Sequence, residues 1–446
     1  MIDLKPLVNK TVDFAYRGAR LGFDLSHALF SSFAIDTGTR LLLKEIAHDE
    51  LLAKAESILD AGCGVGILGI SLAASCPGAK VVMRDRDILA CAFSERNCWR
   101  NGIPAKRLDL EGNPVEAILK RAPKHKENEE RLKDTLIAPG LLGDDDPLGP
   151  YDFIVSNLPA KAGPTILSRF IEICSSKLLN PGGRLGFVIV NTLAGFADEW
   201  CASSGMILVK KTIAKSHTVF LLEKKAEAGS PAEPPELAPA QRPADGGPEG
   251  DRLLPYRRSS ASRRLGRYSV HAEGYWGLPE FDTTSFATSL AVEALERACA
   301  GSLVRDFLIA EPGIGLAALW AGKALGPARI HAASRDLLSL RATKANIEAS
   351  GGPTPEFLPL QSIDIGQARD AMFDAILWHP DEIPEYDSIS PAWEFLKRAA
   401  KMGAAIVIVA SATTIARFER IKPAEMQRLG EKKSKGFAAL MVRRIA

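Results

Sequence analysis

Nowhere in the 446 residues do 18 apolar residues follow one another, so no segment is long enough to cross a bilayer as a helix. The opening Met-Ile-Asp-Leu-Lys-Pro lacks a basic stretch followed by an apolar core, which argues against a secretory leader. The seven cysteines form no C-x-x-C pair, and six fall in the first half at spacings suited neither to zinc nor to a disulfide framework. Reduced, buried thiols in a cytoplasmic protein without a metal are therefore expected. Charge of one sign is missing as well: 56 basic against 54 acidic side chains leave a net +2, so any surface for a polyanion must be a local patch.

The length exceeds what one hydrophobic core usually supports, and a break is visible. Residues 226–250 carry six prolines among Ala, Glu and Gly, a composition that cannot bury enough apolar surface to offset the entropy of ordering. After this linker six arginines accumulate before the next acid, Glu273. Of these, Arg257, Arg258, Arg263 and Arg264 are candidate contacts to RNA phosphates, with a solvated tail as the plainer alternative.

On both sides of the linker short β-rich runs alternate with helical patterns, which predicts parallel strands joined by crossover helices. The runs lie near 57–60, 80–84, 106–109, 152–156, 184–190 and 217–223, then near 306–310, 329–333, 357–360, 373–378, 404–410 and 436–443. Lys120 to Lys133 reads as an exposed mixed-charge insertion. An internal repeat strengthens this reading. Asp60 through Gly66 is set against Glu311 through Ala317, Asp87-Asn97-Gly102 against Asp336-Asn346-Gly351, and Asp152 to Asn157 against Asp374 to His379. The predicted fold class is α/β, with two tandem Rossmann-like domains, each a doubly wound, mostly parallel sheet ending in an antiparallel strand.

The chemistry concentrates in the first copy. Asp60-Ala-Gly62-Cys-Gly64-Val-Gly66 follows the run Ser57-Ile-Leu, and glycines there let the backbone approach a ligand closely. The same stretch fits the dinucleotide pattern from Gly64, yet Gly64 lies four residues beyond the strand-closing Asp60, too late for that fold. An acid at Asp60 suits an ammonium and would repel a pyrophosphate, which favours S-adenosylmethionine. Asp85, at the end of the second strand, can bind both ribose hydroxyls. Asp87 caps the next helix, and Asp109 can reach an adenine amino group. Strand four ends in Asn157-Leu158-Pro159, where the Asn157 side chain and the Leu158 carbonyl can accept hydrogen bonds from an amino group undergoing transfer. Pro159 fixes the turn and offers no N–H.

These motifs resemble the class I S-adenosylmethionine-dependent methyltransferases, specifically the small-domain family with an N-P-P-[FY] signature. Within it the chain is similar to the tandem-domain bacterial ribosomal RNA guanine-N2 methyltransferases, over roughly residues 21–225. The segment from Phe30 to Leu43 is similar to one that in the family folds over the cofactor. The resemblance thus implies that Phe33, Asp36, Gly38 and Thr39 are lid or methionine-end contacts. It implies transfer to a guanine exocyclic amine of ribosomal RNA, with residues 1–225 as the catalytic domain, 226–262 as linker and 263–446 as a degenerate, non-catalytic copy.

The chain departs from the family in two ways. The signature ends in Ala160, so the ring that would stack on a base is missing; Phe33 supplies a face, or the acceptor is a protein glutamine amide or a small-molecule amine. The family's catalytic copy is the later one, whereas here the earlier copy is intact, and Glu311, Ala317, Ser334 and His379 stand opposite Asp60, Gly66, Asp85 and Asn157. A scaffold that binds cofactor without turnover is the reading from another class. His379-Pro-Asp-Glu382 reads as a surface turn, and Trp320 and Trp378 as buried aromatics.

Overall fold

A computed structural model describes residues 4–30, 33–110, 112–115, 135–144, 146–226, 252–353, 355–359 and 371–446. The chain divides into two compact units, residues 1–246 and 247–446. The linker residues 227–251 and the insertion expected at Lys120–Lys133 lie outside the described residues.

The first unit opens with a hairpin, β1 (Lys10–Tyr16) and β2 (Ala19–Leu25), followed by α1 (Thr37–Ile46) and α2 (Glu50–Lys54). Its sheet contains β3 (Ser57–Ala61), β4 (Lys80–Asp85), β5 (Ala105–Arg107), β6 (Thr135–Pro139), β7 (Tyr151–Asn157), β8 (Leu179–Val190), β9 (Ile207–Ile213) and β10 (His217–Glu223). The strand order is β5-β6-β4-β3-β7-β8-β10-β9, parallel from β5 to β8, with β10 antiparallel to both β8 and β9. Helices α3 (Ile67–Ser75) and α4 (Ile88–Arg100) form the first crossovers. Both are buried along much of their length, as expected of helices packed on a sheet whose strands are apolar on both faces, such as Ile58, Leu59, Val81 and Val82.

The second unit repeats this plan. A hairpin of β11 (Arg257–Leu265) and β12 (Tyr268–Tyr275) precedes a seven-stranded sheet of β13 (Asp306–Ala310), β14 (Arg329–Ser334), β15 (Glu356–Pro359), β16 (Phe373–Trp378), β17 (Ala400–Ser411), β18 (Met426–Ser434) and β19 (Phe437–Arg444). The order is β15-β14-β13-β16-β17-β19-β18. Trp320 and Trp378 are buried, and all seven cysteines are free and buried.

The repeat extends to individual hydrogen bonds. Asn97 on α4 bonds the backbone N–H and carbonyl of Asp24 and the carbonyl of Val65, tying the hairpin to the glycine loop. Asn346 makes the same three bonds to Glu273 and Ile314. Asp152 caps the N–H groups of Glu56 and Ser57, as Asp374 does those of Arg305 and Asp306.

The structure departs from the sequence reading in three places. The third strand, expected at 106–109, is only Ala105–Arg107, and a further strand, β6, enters between it and β4. Ahead of each sheet stands a hairpin whose exposed polar residues, as in Arg-Arg-Ser-Ser-Ala-Ser-Arg-Arg, hide its alternating pattern. The arginine run assigned to the linker up to residue 262 begins a strand at Arg257.

Candidate active site

β4, β3 and β7 lie side by side, so their carboxyl ends deliver Asp85, the loop after Asp60 and Asn157 to one sheet edge. That edge, where the strand order reverses about β3, is where doubly wound sheets bind ligands. Asp60 is fully buried. Its Oδ2 accepts the N–H of Gly69 at 2.7 Å, while its Oδ1 is buried with no partner. Burial, with Asp85 nearby, pushes its carboxyl up to about 7. An idle buried carboxylate oxygen is costly unless a ligand donor completes it.

The glycines divide between two tasks. Gly62 and Gly64 hold φ of +78° and +57°, and a Cβ on either would meet nothing within 4 Å, so they border open space. Gly66 and Gly69 face inward: a Cβ at Gly66 would lie 2.8 Å from Ile70 Cδ1, and one at Gly69 would lie 2.5 Å from Met83. Gly69 seats α3 on β4 and Gly66 lets the start of α3 lie against Ser94 of α4, and overpacking there costs about 1–3 kcal/mol. The first pair leaves a backbone cradle that side chains would fill. Asp85 fastens the cradle, accepting from Gly64 N–H and Asp87 N–H at 2.9 Å each, and burial raises its carboxyl pKa.

Asn157 ends β7 partly buried, followed by the buried Leu158 and the exposed Pro159 and Ala160. Its Nδ2 donates to Asp36 Oδ2 at 2.9 Å and to Thr39 Oγ1 at 3.0 Å. A carboxylate only accepts, so the amide orientation is fixed by chemistry. Oδ1 then accepts nothing from the described residues. Asp36 Oδ2 also caps α1, accepting from Gly38 N–H at 2.8 Å and Thr39 N–H at 3.2 Å. The Phe30–Leu43 segment thus meets Asn157 across some 120 residues of sequence, a link no motif announced. Pro159 closes a short turn by accepting from Ala162 N–H. Phe33, 66% exposed, stands edge-on to His27.

Asp109 lies at the same end of the sheet but one strand further out than the neighbour of β4. It follows β5, separated from β4 by β6, and its carboxylate accepts from Asn113 in a local turn. The four arginines are in a strand with most of their charge engaged. Arg257 pairs with Glu273, Arg258 pairs with Asp282 and lies 3.9 Å from the Trp276 ring centre, and Arg263 is buried, donating to the Phe281 carbonyl. Arg264 remains exposed, with a bond to the Gly266 carbonyl.

The second unit corrects the repeat alignment by two residues. Gly315 caps its helix at φ +85° as Gly66 does at +87°, and Asn346 bonds the Ile314 carbonyl as Asn97 bonds that of Val65. Gly66 therefore corresponds to Gly315 rather than Ala317, Asp60 to Ile309, and Gly62 to Glu311. Glu311 sits at φ +57°, where a non-glycine residue is strained, and accepts from Ser334 Oγ at 2.7 Å. Arg335 pairs with Asp381 beside it. Burial drives the Glu311 carboxyl up to about 8 and lowers the His379 imidazole to about 4. The ground left open by Gly62 in the first unit thus holds a side chain here.

Among the described residues no group of His, Cys, Asp and Glu is placed to hold a metal, and no helix is long and apolar enough to cross a membrane.

Residues 20–120 match the profile of the methyltransferase small domain. The chain is 32% identical over 128 residues to a ribosomal RNA large subunit methyltransferase G of Photobacterium profundum, covering 26% of this chain and 33% of the relative. It is 34% identical over 189 residues to a ribosomal RNA small subunit methyltransferase C of Mannheimia succiniciproducens, covering 41% and 46%. It thus spans less than half the length of these relatives. The T. thermophilus 16S rRNA N2 methyltransferase RsmC, solved with AdoMet and guanosine, superposes with a TM-score of 0.60 at 18% identity, over 98% of this chain and 99% of that one, a likeness of fold that extends across both units. The matched residues 20–120 take in the glycine loop and Asp85, and this part of the first unit resembles the methyltransferase small domain.

Proposed function

We propose that the first unit is an N-methyltransferase acting on a guanine exocyclic amine of ribosomal RNA, and that the second unit is a non-catalytic copy. The observation that carries this reading is the Asn157 amide, held by its N–H groups so that its oxygen is left to accept from an amine. The residues of the cradle fit the cofactor: Asp60 Oδ1 as acceptor for the methionyl ammonium, Gly62 and Gly64 as room for the nucleoside, Asp85 for the ribose hydroxyls. S-adenosylmethionine, when bound, supplies an electrophilic methyl group. Asn157 Oδ1 and the Leu158 carbonyl hold the acceptor N–H groups, turning the nitrogen lone pair out of conjugation and toward that methyl group. Most of the rate enhancement then comes from holding the reactants in line. The proton lost from the nitrogen passes to water.

The ribosomal RNA substrate is supported by the names of the relatives, and it places the protein in the cytoplasm. A paired base must be extruded to enter such a pocket. With Ala160 in place of an aromatic, the exposed Phe33, three residues before Asp36, is the ring available for stacking, a contact worth on the order of 1–3 kcal/mol. The test is incubation with methyl-labelled S-adenosylmethionine and ribosomal RNA, free or as subunits, followed by nucleoside analysis. Label in N2-methylguanosine supports the proposal; label only in protein or small metabolites contradicts it.

A further inference from the structure

We propose that Asp36 and Thr39 are positioning residues that restrict the acceptor to groups bearing an N–H, an inference that rests on the N-methyltransferase reading. Both N–H groups of the Asn157 side chain are committed, one to the Asp36 carboxylate and one to the Thr39 hydroxyl. An amide free to rotate presents either donor or acceptor to a ligand; this one presents only its oxygen. A group that can only accept, such as a carbonyl or a carboxylate, finds no donor there and faces a second acceptor. An amine or amide nitrogen finds a partner. The selection resides in α1, outside the signature that carries Asn157.

The second unit supplies an internal control. Ser285 stands where Asp36 does, capping its helix by accepting from Thr288 N–H at 3.0 Å, and Thr288 corresponds to Thr39. A serine therefore suffices for the cap. Ala287 replaces Gly38, whose missing Cβ would lie 2.9 Å from Asp36 Oδ2 and 3.0 Å from the His217 ring. His379 replaces Asn157. Where the amide is gone, so are the carboxylate and the glycine that admits it, which separates the clamp from the cap.

The discriminating variant is Asp36→Ser, which replaces the capping carboxylate with a capping hydroxyl, as at Ser285, but is too short to reach Asn157, with Thr39→Val and Thr39→Ser as a second pair. Four quantities are measured for each: melting temperature, affinity for S-adenosylmethionine, and kcat and KM with the ribosomal RNA that accepts the methyl group. Asp36→Ser and Thr39→Val are expected to bind cofactor within about threefold of the parent while kcat falls on the order of 100-fold, the cost of a misplaced reacting group. Thr39→Ser should restore most of the rate. An unchanged kcat in Asp36→Ser, or a loss of cofactor affinity that accounts for the whole loss of rate, would overturn the assignment. Should the parent protein methylate no RNA at all, the functional reading fails, yet the clamp is still tested by the Asn157 side-chain amide in an ¹⁵N NMR spectrum. Slow proton exchange lost in Asp36→Ser supports the clamp, and identical fast exchange in both refutes it.

Discussion

The two units share a backbone plan down to the asparagine that ties each hairpin to its loop, yet they treat the end of the first sheet strand in opposite ways. In the first, Gly62 and Gly64 border open space, Asp60 keeps an idle oxygen and Asp85 stands at the rim. In the second, Glu311 fills the place of Gly62 and bonds Ser334, while Ile309 offers no acceptor. Gly66 and Gly315, which seat the helix, are kept in both. The packing glycine is thus common to both units, whereas of the two glycines that border open space only Gly62 is replaced, Gly64 being matched by Gly313. The second loop is folded and closed by its own side chains.

The largest expected effect comes from carrying the closed loop into the open one. Gly62→Glu should abolish cofactor binding measured by calorimetry, whereas Glu311→Gly should create no second site, because Ile309 and Ser334 supply neither the acceptor nor the ribose carboxylate. Next, Asn157→Ala should lower kcat on the order of 100- to 1,000-fold, as removal of one preorganised transition-state group does, with cofactor affinity near normal. His379→Ala in the second unit should leave kcat unchanged.

A smaller effect, of mixed sign, is expected at Asp60. Its raised pKa means that stability is fully present below its ordinary pKa of 3.8 and is lost as pH rises through about 7. Asp60→Asn, which keeps an acceptor for Gly69, should raise stability at pH 8 by roughly 1–3 kcal/mol while weakening cofactor binding. In the parent protein, cofactor affinity should rise through pH 7 as the carboxylate ionises. The same sign applies to Glu311: its contribution is present below 4.5 and lost as pH rises through about 8. Glu311→Gln should flatten the melting temperature of the second unit between those limits, without effect on turnover.

The sequence carried the architecture because parallel strands buried on both faces read as apolar runs, and Ile58-Leu59, Val81-Val82 and Ile154-Val155 are such runs. β6 escaped because it is five residues long, ends in proline and follows a long polar stretch. That omission misplaced Asp109, since the strand next to β4 could not be identified from spacing. The glycine loop after β3 was legible because glycine and acid types are restricted by local geometry. The Asp36–Asn157–Thr39 contact was not, because a hydrogen bond across 121 positions leaves no periodicity. The repeat was visible, but glycine-rich loops align equally well two residues out of register; the matching helix caps at Gly66 and Gly315 and the matching bonds of Asn97 and Asn346 settle it.

The most direct test is the stoichiometry of S-adenosylmethionine binding to the full chain, titrated alongside the Gly62→Glu and Glu311→Gly variants. The account predicts one equivalent per chain in the parent, none in Gly62→Glu and one in Glu311→Gly. Two equivalents in the parent, or one equivalent that survives Gly62→Glu, would contradict it.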